Sequence, residues 1–128
     1  MRELKRRALG GIARNDNSDA AATYLIRVAE TEKDFELRKI AIANLGKVAG
    51  QKSLGALTST VDSDTEVELQ KQAVRAIGRR PKDEAIPILI RTARNHPKMA
   101  VRKLAIQVLG QTGDERAVAF FRELLSKD

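Results

Sequence analysis

Basic side chains recur along this chain at a fixed interval. Arg38-Lys39, Gln70-Lys71 and Arg102-Lys103 stand 32 residues apart, and Lys5-Arg6 precedes the first pair by 33. Arg75 adds a further cation to the middle rung. Guanidinium and ammonium groups bind carboxylates and phosphates, but they supply no nucleophile of their own. The formal net charge is +7 and the pI is near 10.1, so an acidic partner is the natural complement. The charge is unevenly placed. Segments 1–14, 34–47, 65–80 and 98–111 carry +4, +1, +2 and +3, whereas 15–33, 48–64, 81–97 and 112–128 carry −2, −1, +1 and −1.

Residues that could catalyse are sparse. His96 is the single histidine, and Pro97 follows it in a predicted loop with no nucleophile or orienting acid beside it in sequence. Asp62, Asp64, Glu66 and Glu68 form an acidic cluster. It fails as an EF-hand, because Val67 stands where the loop needs glycine and Ala73 where it needs the twelfth-position Glu. There is no Cys, which excludes disulfides and thiolate metal sites. No phosphate-binding glycine loop, Gly-x-Ser-x-Gly or His-Glu-x-x-His occurs. The expectation is a non-catalytic protein with no cofactor and no metal. The longest apolar stretches, such as 85–90, are far too short to cross a bilayer. No signal peptide is visible, so the default expectation is cytoplasmic, with nothing that specifies a compartment.

The elements that carry these cations are themselves repeated. Leu37–Gly46, Leu69–Gly78 and Val101–Gly110 are copies of one ten-residue block, and Leu4–Ala13 is a fainter one. Leu37, Ile40, Ala41, Leu45 and Val48 trace one helical stripe, as do Val101, Leu104, Ala105, Val108 and Leu109. Between the blocks a second helical pattern repeats: Leu54, Leu57, Val61, then Ile86, Leu89, Ala93, then Val118, Phe121, Leu125. Eight helices are predicted, at about 2–13, 18–31, 34–48, 52–62, 66–79, 84–95, 98–110 and 114–126. Gly46, Gly78 and Gly110 close their blocks, where a left-handed residue or a close backbone approach is expected. A period of this length marks a solenoid, whose units bury their apolar faces only by stacking.

The blocks resemble HEAT repeats. Val101, Arg102, Ala105, Leu109 and Gly110 match the second-helix pattern of that family, Pro87 lies inside a first helix, and Asp64 stands six residues before Gln70. The run Gly113-Asp114-Glu115-Arg116-Ala117 is similar to the short HEAT-like repeats common in bacteria and archaea. The resemblance implies an all-α fold, a right-handed superhelix of about four two-helix repeats, with the second helices on the concave face. It implies a protein-binding scaffold. Two departures stand out: Gln70 replaces the family's arginine, and His96 holds the place of an acid before Arg102, so an Asp–Arg ladder would be incomplete. Some HEAT-like folds excise alkylated bases using aromatic residues and a catalytic Asp, but here there is no Trp and Tyr24 stands alone. Others handle bilin chromophores, and nothing here marks such a site.

With 37, 40, 41 and 45 inward, the helical wheel places the neighbouring positions outward. The expected concave ladder is Lys5, Arg6, Arg38, Lys39, Lys71, Arg75, Arg102 and Lys103, with an aliphatic ridge of Leu9, Ile42, Val74 and Ile106 between the rungs. A basic groove with an apolar ridge suits an acidic or amphipathic protein segment. The alternative occupant is nucleic acid, held by its phosphate backbone and not read by sequence, since the groove has no stacking aromatics. The chain divides into one domain, 1–128: a half-repeat 1–14, repeats at about 15–47, 48–80 and 81–111, and a half-repeat 112–128. That framing fits a piece of a longer solenoid, or a monomer that associates end to end, with Phe120, Phe121 and Leu124 as the docking residues.

Overall fold

The computed structural model describes residues 2–127 as eight helices and, among them, no strand. They are α1 (Arg2–Ala13), α2 (Ser18–Thr31), α3 (Phe35–Leu45), α4 (Gln51–Ser63), α5 (Val67–Ile77), α6 (Lys82–Asn95), α7 (Met99–Thr112) and α8 (Glu115–Leu125). Each helix packs on its sequence neighbour, and α1, α3, α5 and α7 also pack on one another in order. The result is a two-layer α-solenoid. Leu25, Leu45, Leu57, Leu69, Ile77, Ile86, Leu89 and Leu109 are fully buried between the layers. With aromatics at only 3% of the chain, this core is aliphatic.

Several helix starts are set by side-chain oxygens. Asn17 accepts from the Ala20 amide at 3.0 Å, Asp34 from the amides of Glu36 and Leu37, and Asp114 from Arg116 at 2.8 Å. The Asp114 carboxyl is held down to about 2, chiefly by the hydrogen bond from the Arg116 side chain. The predicted helix ends differ in one respect. α3 and α5 stop at Leu45 and Ile77, and tight turns such as Gly46 N–H to Ala43 carbonyl follow. α7 instead runs through Gly110 to Thr112, and Gly113 takes the left-handed conformation.

The block-closing glycines act by close approach. Gly46 and Gly78 both have ordinary right-handed backbones. A Cβ on Gly46 would lie 2.8 Å from the Ala76 carbonyl oxygen and 3.0 Å from its Cα, and one on Gly78 would lie 2.6 Å from a Val108 methyl. The helices α3, α5 and α7 can therefore nearly touch. The other layer is looser. An open gap of about 560 Å³ lies between α4 and α6, and Gly55 on α4 has nothing near its Cα position. One layer is drawn together and the other is spread, so the stack curves with α1, α3, α5 and α7 on its inner side.

Candidate docking groove

Stacking sorts each inner helix into two rows of cations with different roles. The first row, Lys5, Arg38, Gln70 and Arg102, faces the joint with the outer layer. Arg38 donates to the Ala29 carbonyl at 2.7 Å and pairs with Asp64 at 3.9 Å. Arg102 donates to the His96 carbonyl. Gln70 is buried and donates to the Val61 carbonyl at 2.9 Å. These side chains tie the C-terminal end of each outer helix to the next inner helix. Arg38 and Arg102 are thus half-buried clamps, contrary to their expected place on an open ladder, and Lys5 alone in this row is exposed.

His96 follows from the same geometry. Its Nε2 lies 2.8 Å from the Val61 carbonyl, which can only accept, so Nε2 carries the proton. Its Nδ1 accepts from the Lys98 amide at 3.0 Å. The histidine that replaces an acid and the glutamine that replaces an arginine converge on one carbonyl. The two departures from the family pattern are a matched pair, in which a neutral link stands where Asp64 and Arg38 form a charged one. His96 is buried and committed to this link.

The second row faces the groove. Arg6, Lys39, Lys71 and Lys103 occupy equivalent positions on α1, α3, α5 and α7. Three of them carry an acidic neighbour one turn earlier: Glu3 at 3.9 Å from Arg6, Glu36 at 3.4 Å from Lys39, and Glu68 at 3.8 Å from Lys71. Lys103 has Ala100 there. Exposed pairs of this kind contribute little and are easily exchanged for another partner. A parallel row, Arg14, Lys47 and Arg79, lies two turns further on. It lies just past the end of the first three blocks, a signal the sequence carried and the ten-residue repeat concealed. Arg75 is exposed next to it and donates to Gln72 at 3.4 Å. An open cleft of about 350 Å³ sits between the two rows, with Arg6, Lys39 and Lys47 above Ile40 and Ala43. Asn44 lies beneath, buried, with its Oδ1 lacking a protein partner.

The expected aliphatic ridge is overturned. Ile42 is 1% exposed and Val74 0%, and Leu9 is buried with them. An inner helix is covered on both flanks by its neighbours as well as by the outer layer, so only a narrow strip stays free. Positions 42 and 74 fall under the next inner helix. Ile106 is 36% exposed, because no inner helix follows α7. The apolar groups that do reach the groove are Ile40, Ala43 and Leu104, all partly exposed.

Phe120 is also corrected. It is buried beneath Arg94, whose guanidinium sits 5.2 Å from the ring centre, and its centroid lies 6.1 Å from that of Phe121. Phe121 is half-buried, while Leu124 and Leu125 are exposed.

HEAT repeats match the chain over residues 56–128, more than half its length, and the chain belongs to this family. Proteins built from such repeats are generally protein-interaction scaffolds and typically not catalysts. No curated protein matches the sequence. No helix among the described residues is long and apolar enough to cross a membrane, and no group of three potential metal ligands occurs among them.

Proposed function

We propose that the inner face of this solenoid is a non-catalytic docking groove for an acidic or amphipathic protein segment. The observation that carries the reading is the register of Arg6, Lys39, Lys71 and Lys103, one cation per stacked helix with no acid replacing any of them. Neighbouring helices stack about 10 Å apart. An extended segment covers that distance in about three residues and a helix in about seven. A partner with acids at either spacing meets every rung. Partly exposed Ile40 and Leu104 favour an occupant that also brings apolar side chains. Nucleic acid is the competing occupant, held by the same cations through phosphates alone.

The test is fluorescence anisotropy of a labelled oligoglutamate peptide and of labelled duplex DNA, each titrated at several salt concentrations. Peptide binding at physiological salt that weakens about tenfold or more in the Lys39/Lys71/Lys103→Ala variant supports the groove. DNA binding with a steep salt slope and no peptide binding replaces it with the phosphate-backbone reading.

A second reading rests on the far end of the stack. Ile106, Val118, Leu124 and Leu125 are exposed, whereas Val74, Ile86, Thr92 and Ala93 at the equivalent positions one repeat earlier are buried. We propose that this end face accepts a further helical layer, from the same or another chain. A half-repeat at either end of a single domain is the matching division of the sequence. Sedimentation showing monomer at all concentrations, with no dye bound to an apolar patch, would remove the self-association version.

A further inference from the structure

Of the joints between successive inner helices, α3–α5 and α5–α7 differ at one position that governs the space between them. At the α3–α5 joint, Arg80 turns inward and is buried. It donates to the carbonyls of Val48 and Gly50 and to the Ser53 hydroxyl, and Glu84 pairs with it at 2.9 Å. The guanidinium takes up much of the space where an inner helix passes the preceding turn, and the cleft left there beside Gly46 and Lys47 is only about 210 Å³. At the α5–α7 joint the equivalent position is Thr112, whose hydroxyl bonds within its own helix to the Leu109 carbonyl. It cannot reach across. The space stays open as a cleft of about 620 Å³ over Gly78 and Val108.

The groups around this opening are cationic. Arg75, Arg79 and Lys82 line it, and no acidic residue does. None of the three forms an ion pair among the described residues. Asp114, on which the charge of Lys82 acts, is already engaged by Arg116. By contrast, Arg6, Lys39 and Lys71 each have an acid one turn away, and Glu36 lines the cleft beside Lys39 and Lys47. Three cations without an ion pair, around a cleft that no acid lines, make a place suited to an anion.

We infer that this cleft is the anchor of the docking groove, taking an acidic side chain of the bound protein segment where Arg80 fills the joint before it. The inference rests on the groove reading above and narrows it to one subsite. Arg79 continues the parallel row of Arg14 and Lys47, and Arg75 flanks it, so a segment lying along that row runs on to this cleft. The occupant is a Glu or Asp of the partner, whose carboxylate accepts from Arg75 and Arg79 while its methylene groups lie on Val108.

The experiment uses the whole chain and a labelled oligoglutamate peptide as probe, with anisotropy at low and physiological salt. Two variants decide it. Arg79→Ala combined with Lys82→Ala removes charge from the rim and should weaken binding at least tenfold, more than Lys39→Ala with Lys71→Ala. Thr112→Arg places a plug in the joint while raising the net charge by one. Weaker binding by Thr112→Arg, despite the added charge, supports the anchor. Tighter binding by Thr112→Arg means that charge alone governs affinity and overturns it. Binding that survives loss of Arg79 and Lys82 but disappears with Lys39 and Lys71 leaves the groove standing and removes the anchor. No binding by the unaltered chain at low salt removes both. Unchanged circular dichroism of each variant assures that affinity, and not folding, is being read.

Discussion

Two successive joints of this solenoid, α3–α5 and α5–α7, are built from the same repeat and differ in nearly every polar device that closes them. Joint one, between α3 and α5, carries a charged clamp, Arg38 with Asp64, and a buried plug, Arg80. Its glycine, Gly46, presses on backbone. Joint two, between α5 and α7, carries a neutral clamp, Gln70 and His96 on the Val61 carbonyl, and leaves its plug position to Thr112. Its glycine, Gly78, presses on a side chain. Repetition thus sets where helices lie, while single side chains decide which joint is sealed and which is open. The joint that Arg80 fills keeps a cleft of about 210 Å³, and the one it does not fill keeps about 620 Å³.

Removing the plug tests this contrast most severely. Arg80→Ala should cost about 2–4 kcal/mol, because it strips several hydrogen bonds from buried acceptors and frees Glu84. Thr112→Ala, at the equivalent place, should cost about 1 kcal/mol or less. Urea unfolding of both variants measures the difference, and equal losses would erase the distinction between the joints.

The glycines give the next largest effect. Gly46→Ala drives a methyl into the Ala76 backbone, which cannot rotate away, and should cost about 1–3 kcal/mol. Gly78→Ala meets first a Val108 methyl, which can shift, and then the Arg75 carbonyl oxygen at 3.3 Å, while alanine's smaller unfolded-state entropy offsets about 0.4–1 kcal/mol. Near-neutral behaviour is expected there. If Gly78→Ala proves the costlier change in thermal unfolding, the backbone-versus-side-chain account of the two approaches fails.

The clamps should differ by the smallest amount. Gln70→Arg alone brings a guanidinium to a joint with no acid and should lose about 1–3 kcal/mol. Adding His96→Asp rebuilds in joint two the pair that joint one already has, and most of the loss should return. A double-mutant cycle reads the coupling directly. Additive effects would mean that Gln70 and His96 do not act as one device.

Much of this was legible in the residues. The 32-residue period and the helical stripes located all eight helices, because a unit that cannot bury its own apolar face must announce that face in its spacing. Lys39, Lys71 and Lys103 lie off the buried stripe, partly or fully exposed. The ridge of Ile42 and Val74 was misplaced for a definite reason. A helical wheel has two sides, in and out, whereas an inner solenoid helix has neighbours on three, and its exposed strip is narrower than half its circumference. Arg80 was read as one more basic residue because its repeat equivalents, Val48 and Thr112, are not basic and offered no pattern to notice.

The sequence by itself determined the architecture, the family and the aliphatic core. Each of these is a sum over many positions, and a periodic sum survives errors at single residues. Only the tertiary structure decided which cations clamp, which plug and which are free. That choice depends on whether a particular carbonyl or carboxylate from another repeat lies within about 3 Å of a side chain. Residues some thirty positions apart come that close only once the stack has formed, and no spacing along the chain specifies the contact.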